Sequence, residues 1–162
     1  MSQKYDMVFI SPIGPLGIKT KEEKITKLIF NTNIIEVKPK TIFLKEVHYQ
    51  LNLYFNNKLR KFDIPYDLVV TSYQKNVLLE VAKISFGDTK TYSDIASKVQ
   101  SHARPVGNAC RNNPIQLLIP CHRVIGKNNL GGFSGDDIRK NGNMFFIKKK
   151  LLSKRIFIST KR

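Results

Sequence analysis

The apolar residues of this chain change their spacing once, near residue 70, and that change limits the folds open to it. Ahead of it, Tyr5 to Ile10, Leu16 to Thr20, Ile25 to Phe30 and Ile34 to Val37 are short runs rich in β-branched and aromatic residues. Gly, Pro, Lys-Glu-Glu and Asn turns divide them, the pattern of antiparallel strands. Val47, Leu51, Tyr54 and Phe55 then recur at helical spacing, which predicts one helix laid on that sheet. Past residue 70 the spacing stays helical: Val77, Leu78, Val81 and Ile84 line one side of a helix that Ser72 can cap and that ends before Gly87. Thr91 precedes a second helix, Tyr92 to Val99, and the turn Gln100-Ser101-His102 leads to a third, Ala103 to Arg111. Two short helices so joined read as a helix-turn-helix. Pro105 is tolerated there because a proline in a helix's first turn has no N–H to leave unpaired. The 162 residues are expected to form an α+β chain: an N-terminal support unit, residues 1–68, and a mainly helical C-terminal unit, residues 69–162.

Charge narrows the partners. Lysine and arginine number 28 against 12 acidic residues, a net +16, which makes a polyanion the expected macromolecular partner. Membrane surfaces are anionic too, but no lysine-rich helix here carries a strongly apolar opposite face, so nucleic acid is favoured and no membrane is expected. No run of 18 apolar residues occurs, and Asp6 interrupts any signal-like N-terminal core. The two cysteines, Cys110 and Cys121, lie eleven positions apart without metal-type spacing. One of them is the candidate nucleophile below, and a disulfide would abolish its function. The expected compartment is therefore intracellular and reducing, the cytoplasm.

That nucleophile lies in Ile119-Pro120-Cys121-His122-Arg123-Val124. A thiol is a slow nucleophile until deprotonated, and an imidazole held nearby can take its proton directly or through a water. A bare Cys-His pair is more often a buried thiol beside an unrelated histidine. Here the residues upstream decide. Ala103-Arg104-Pro105-Val106-Gly107-Asn108-Ala109-Cys110-Arg111-Asn112-Asn113-Pro114 leads into Leu117-Leu118-Ile119-Pro120-Cys121-His122-Arg123-Val124. Ser11-Pro12-Ile13-Gly14-Pro15-Leu16-Gly17, Thr71-Ser72-Tyr73-Gln74, Phe86-Gly87-Asp88-Thr89-Lys90-Thr91-Tyr92 and Gly131-Gly132-Phe133-Ser134-Gly135 flank it in order. Together they resemble the O6-alkylguanine-DNA alkyltransferase family, from about residue 11 to residue 152.

The resemblance implies a ribonuclease H-like N-terminal domain and a winged-helix/helix-turn-helix C-terminal domain. It implies a monomer on double-stranded DNA that carries O6-alkylguanine, docked from the minor groove, with no cofactor and no metal. Cys121 would accept the alkyl group irreversibly, and His122 would withdraw its proton through a water. Tyr92 would hydrogen-bond ring nitrogen 3 of guanine and supply a proton as the base leaves. Asn113 would be the hinge that satisfies buried backbone groups around the nucleophile. The carbonyls of Cys121 and Val124 would receive the exocyclic amine, Phe133 would form the aromatic wall, and Ser134 would meet O6. Arg104 would fill the gap left by the extruded nucleotide, and Arg111 would contact phosphate. Small residues on the third helix, Gly107, Ala109 and Cys110, are poor base readers but allow entry into a narrow groove.

One departure stands out. After Lys148-Lys149-Lys150-Leu151-Leu152, the position at which the family carries a relay glutamate is Arg155. Either Asp136, Asp137 or another acid orients His122, or the relay is absent. The rival function is a non-catalytic alkyltransferase-like lesion-binding protein, and Cys121 argues against it because those relatives lack the nucleophile. A helix-turn-helix regulator would have no use for Pro-Cys-His-Arg.

Overall fold

The computed structural model describes residues 4–30, 35–127 and 147–152. The chain divides into two compact units. The first is Met1–Val69 with Pro114–Gln116; the second is Val70–Asn113 with Leu117–Arg162.

The first unit is built on an antiparallel meander of β1 (Met7–Ser11), β2 (Gly14–Lys21) and β3 (Lys24–Phe30). Ser11 and Gly14 close the first hairpin, with Ser11 Oγ donating to the Gly14 carbonyl at 2.6 Å. The second turns on Glu22 and Glu23, both left-handed at φ 52° and 58°, the geometry that matches strand twist in a two-residue turn. Helix α1 (Ile42–Phe55) starts at Thr41, whose hydroxyl accepts from the Leu44 N–H at 3.1 Å. Of the predicted stripe, Val47, Leu51 and Tyr54 are enclosed with Met7, Leu16, Ile18, Ile25 and Leu28, while Phe55 is half-buried. The expected fourth strand is not formed in the described part of its range. Of residues 35–37 only Val37 pairs, in one bridge to Val8, since Ile35 is exposed and Pro39 follows at once. Strand β3 is met instead by residues from far along the chain. Leu28 N–H donates to the Pro114 carbonyl at 2.9 Å, Gln116 N–H to Leu28 at 2.8 Å, and Phe30 N–H to Gln116 Oε1 at 2.9 Å.

The second unit holds α2 (Ser72–Val81), β4 (Lys90–Thr91), α3 (Tyr92–Val99), α4 (Ala103–Arg111), a 3-10 turn (Cys121–Arg123), β5 (Val124–Ile125) and helical residues 147–152. The cap of α2 is Thr71 rather than Ser72: Thr71 has the extended backbone a cap needs and its hydroxyl accepts from the Gln74 N–H. The helix ends at Val81, and Ile84 is buried from the turn that follows. Thr91 and Asp94 form a reciprocal capping box on α3. Gln100 ends α3 in the left-handed region, φ 55°, and turns the chain into α4.

Candidate active site around Cys121

A short parallel pairing assembles this site. β4 ends at Thr91, one residue before Tyr92, and β5 begins one residue after the Cys121–Arg123 turn. Lys90 pairs with Val124 and Thr91 with Ile125, so the start of α3 and the nucleophile turn are set side by side. The approach from α4 is strained. Leu117 is buried at φ 73°, a conformation that costs a bulky residue about 1–2 kcal/mol, and the Cys121 N–H then closes on the Ile119 carbonyl at 2.8 Å. Asn113 braces the turn. Its Nδ2 donates to the Ile119 carbonyl at 2.9 Å and to Cys121 Sγ at 3.3 Å. Cys121 itself is 3% exposed.

The electrostatics centre on a residue that the motif did not mark as chemical. Lys148 is fully buried; its Nζ donates to the Val124 carbonyl at 2.7 Å and lies 5.8 Å from the centre of the Tyr92 ring. Burial pushes this lysine from 10.5 down to about 8, while the nearby thiols of Cys110 and Cys121 work the other way. Burial pushes the Cys121 thiol up, as does the neighbouring Cys110 thiol, whereas the Asn113 amide and the Lys148 charge pull it down. His122 is buried and driven well below the usual imidazole range, first by desolvation and then by Arg123 and Lys148. Among the described residues its Nδ1 has no hydrogen-bond partner. Half-buried Tyr92 is raised by desolvation and by the two thiols, so its phenol stays protonated. Arg123 donates to the Ile84 carbonyl at 2.7 Å and stacks its guanidinium 5.6 Å from the Phe86 ring.

Tyr92, Asn113, Cys121, His122 and Val124 are therefore gathered as a group within the second unit. The Val124 carbonyl accepts from Lys148 and, like any carbonyl oxygen, carries a second lone pair. Phe133, Ser134, Asp136, Asp137 and Arg155 lie outside the described residues. Arg104 and Arg111 are exposed on α4, and a Cβ at Gly107 would meet nothing within 4 Å. Ala109 corrects the expectation: it is 6% exposed and Cys110 7%, so both face the core of the unit rather than the outside. One turn of helix after Val106 brings the backbone back to that buried side, where Gln74 Nε2 also donates to the Ala109 and Asn112 carbonyls. Lys148 could have been found from Ile147 and Leu151, which share its helix face and are buried. Among the described residues no group of three His, Cys, Asp or Glu side chains could hold a metal, and no helix is long and apolar enough to cross a membrane.

The family profile of the 6-O-methylguanine DNA methyltransferase ribonuclease-like domain matches residues 4–68, and that of the DNA binding domain matches residues 72–154. A methylated-DNA–protein-cysteine methyltransferase of Methanocaldococcus vulcanius is 39% identical over 142 residues, 86% of this chain and 85% of that protein. The crystal structure of Mycobacterium tuberculosis O6-methylguanine methyltransferase superposes with a TM-score of 0.77 at 32% identity, over 90% of this chain and 88% of that one. The crystal structure of Mycobacterium tuberculosis OGT in complex with DNA gives a TM-score of 0.76 at 32% identity, over 90% of this chain and 89% of that one. Both domain profiles match in tandem and the relatives align along most of their length: the chain belongs to the 6-O-methylguanine DNA methyltransferase family.

Proposed function

We propose that this chain is a DNA-repair protein that moves the alkyl group of O6-alkylguanine onto its own Cys121, once per molecule. The observation that carries this reading is a buried cysteine sulfur held by the Asn113 amide beside a buried lysine, in a chain of this family. The thiolate attacks the alkyl carbon in line; an S–C bond forms, the C–O6 bond breaks, and guanine departs with the electron pair. The phenol of Tyr92 stays protonated, so it can donate to ring nitrogen 3 and neutralise the leaving base. The product thioether is inert to water, and the protein is consumed.

Neutral His122 is in the right form to relay the thiol proton through a water, but burial and two cations disfavour its charged form. In this reading the countercharge for the thiolate is the Lys148 ammonium, which also sits by the Tyr92 ring and offsets negative charge on sulfur or phenol. A carboxylate that stabilises an imidazolium is then dispensable, which makes Arg155 tolerable in the glutamate position.

A thiol this buried is out of reach of a base inside a duplex, so the alkylated base must be flipped out to it. The outward side of α4 offers Arg104 to fill the vacated stack, Gly107 to let the helix into the minor groove, and Arg111 for phosphate. The net +16 supplies the sequence-independent attraction to double-stranded DNA. The protein acts as a monomer, inside the cell where thiols are kept reduced. The test is intact mass and peptide mapping after mixing with duplex DNA that carries one O6-methylguanine. One methyl in place of one hydrogen on the Cys121 peptide is expected. Unmodified protein that still binds the lesion tightly would establish the lesion-binding alternative instead.

A further inference from the structure

The two cysteines of the chain meet at this site. Cys110 lies in the last turn of α4 and Cys121 opens the 3-10 turn; both are free and buried. Asn113 ties the two residues together, with its N–H on the Cys110 carbonyl at 3.2 Å and its Nδ2 on Cys121 Sγ at 3.3 Å. Neither proton withdrawal nor base recognition uses Cys110, and a small apolar side chain would fill its place in the core equally well. We propose that Cys110 is the resolving thiol for Cys121: a peroxide oxidises Cys121, and Cys110 then captures it as an intramolecular disulfide.

The steps balance. The Cys121 thiolate attacks one oxygen of hydrogen peroxide, the S–O bond forms, the O–O bond breaks and hydroxide leaves; sulfur loses two electrons and peroxide gains them. Cys110 then attacks the Cys121 sulfur, an S–S bond forms, the S–O bond breaks, and the hydroxyl departs as water with the Cys110 proton. A dithiol reductant reverses the product. Position favours this partner over any other thiol. The capture is intramolecular, and a cysteine 3% exposed admits a peroxide more readily than a peptide-sized thiol such as glutathione. Without a resolving thiol the sulfenic acid goes on to sulfinic acid, which dithiols do not reduce. For a protein that turns over once, that oxidation would remove a repair equivalent as surely as a lesion does. The chemistry needs no DNA, so its failure would leave the repair reading untouched.

The test treats the full chain with hydrogen peroxide and blocks residual thiols. Trypsin then cuts at Lys98, Arg111 and Arg123, which puts Cys110 and Cys121 on separate peptides. The expected result is a loss of two hydrogens from the intact monomer, a linked pair of peptides 99–111 and 112–123, and methyl acceptance that is lost and then restored by dithiothreitol. Cys110→Ser should give no linked pair, accumulate sulfinic acid on Cys121, and lose most of the recoverable acceptance relative to its own unoxidised sample. Cys110→Ala repeats the comparison with a second side chain, and matched thermal melts exclude unfolding as the cause. Sulfinic acid on Cys121 of the parent without linked peptides would overturn the proposal. So would a link found only between two chains, or variants that recover as fully as the parent.

Discussion

Replacing Lys148 by methionine should slow alkyl transfer while leaving the protein no less stable. The side chain keeps its length and apolar stem and loses only the ammonium. Burial lowers this lysine from 10.5 to about 8, so holding the charge inside costs about 3 kcal/mol at neutral pH. Methionine removes that cost but leaves the Val124 carbonyl without its 2.7 Å donor, a loss of about 1–3 kcal/mol. The variant should therefore be as stable as the parent or up to about 2 kcal/mol more so at neutral pH, where each kcal/mol is worth about 2–4 °C in Tm. The sign of the pH dependence follows from the depressed value. Between about 8 and 10.5 the unfolded chain holds the lysine proton and the folded chain does not, so parent stability gains about 1.4 kcal/mol per pH unit from this group. Urea midpoints of parent and variant, compared at neutral and alkaline pH, isolate that gain because changes at Cys121 and elsewhere are common to both. The reaction moves the other way. Loss of the opposite charge removes one influence that holds the Cys121 thiol down, so the single-turnover rate at neutral pH should fall, on the order of 10-fold, and recover as pH rises. A rapid-quench time course with excess protein over alkylated duplex measures it. A variant that reacts at the parental rate at neutral pH would refute the assignment of Lys148 as the countercharge.

Gly107→Ala should stabilise α4 by about 0.5–1 kcal/mol, because nothing in the chain occupies the space of the new methyl, and should weaken binding to DNA; unchanged affinity in a salt titration would remove Gly107 from the interface. Gln100→Gly should raise stability by about 0.5–1 kcal/mol by relieving the left-handed residue between α3 and α4, and a lowered Tm would show that the Gln100 side chain matters more than its backbone. Asn113→Leu leaves the buried Ile119 carbonyl without its side-chain donor and takes a hydrogen bond from the thiolate; a loss of about 1–3 kcal/mol and a slower transfer are expected together, read by urea melts and rapid quench. Because His122 is held well below 6.5, the unfolded chain alone takes up its proton as pH falls past that value. Stability should then drop by about 1.4 kcal/mol per pH unit, and His122→Gln should flatten that limb of the curve.

Wherever the controlling physics is local, the residues declared themselves in order. The spacing of Val47, Leu51 and Tyr54 marks α1, and Thr91 marks the start of α3, because a helix period and a cap depend on neighbours three or four positions away. Pro-Cys-His-Arg in its context marks the nucleophile for the same reason: the chemistry is written in adjacent side chains. The misread positions are those whose meaning depends on a packing partner. Nothing in the sequence marks residues 114–116, yet they hydrogen-bond to β3, which precedes them by more than eighty positions. Ala109 reads as an outward small residue until the helix face that packs inward is known. Lys148 reads as one of three lysines in a basic run. Its neighbours Lys149 and Lys150 are exposed or half-buried, and only the burial of its own face beside Tyr92 and Cys121 turns a solvated charge into one that acts on a thiol. Sequence alone thus determined the local elements and the reactive group. Tertiary structure decided its electrostatics and its thiol partner, because both depend on which side chains are removed from water together.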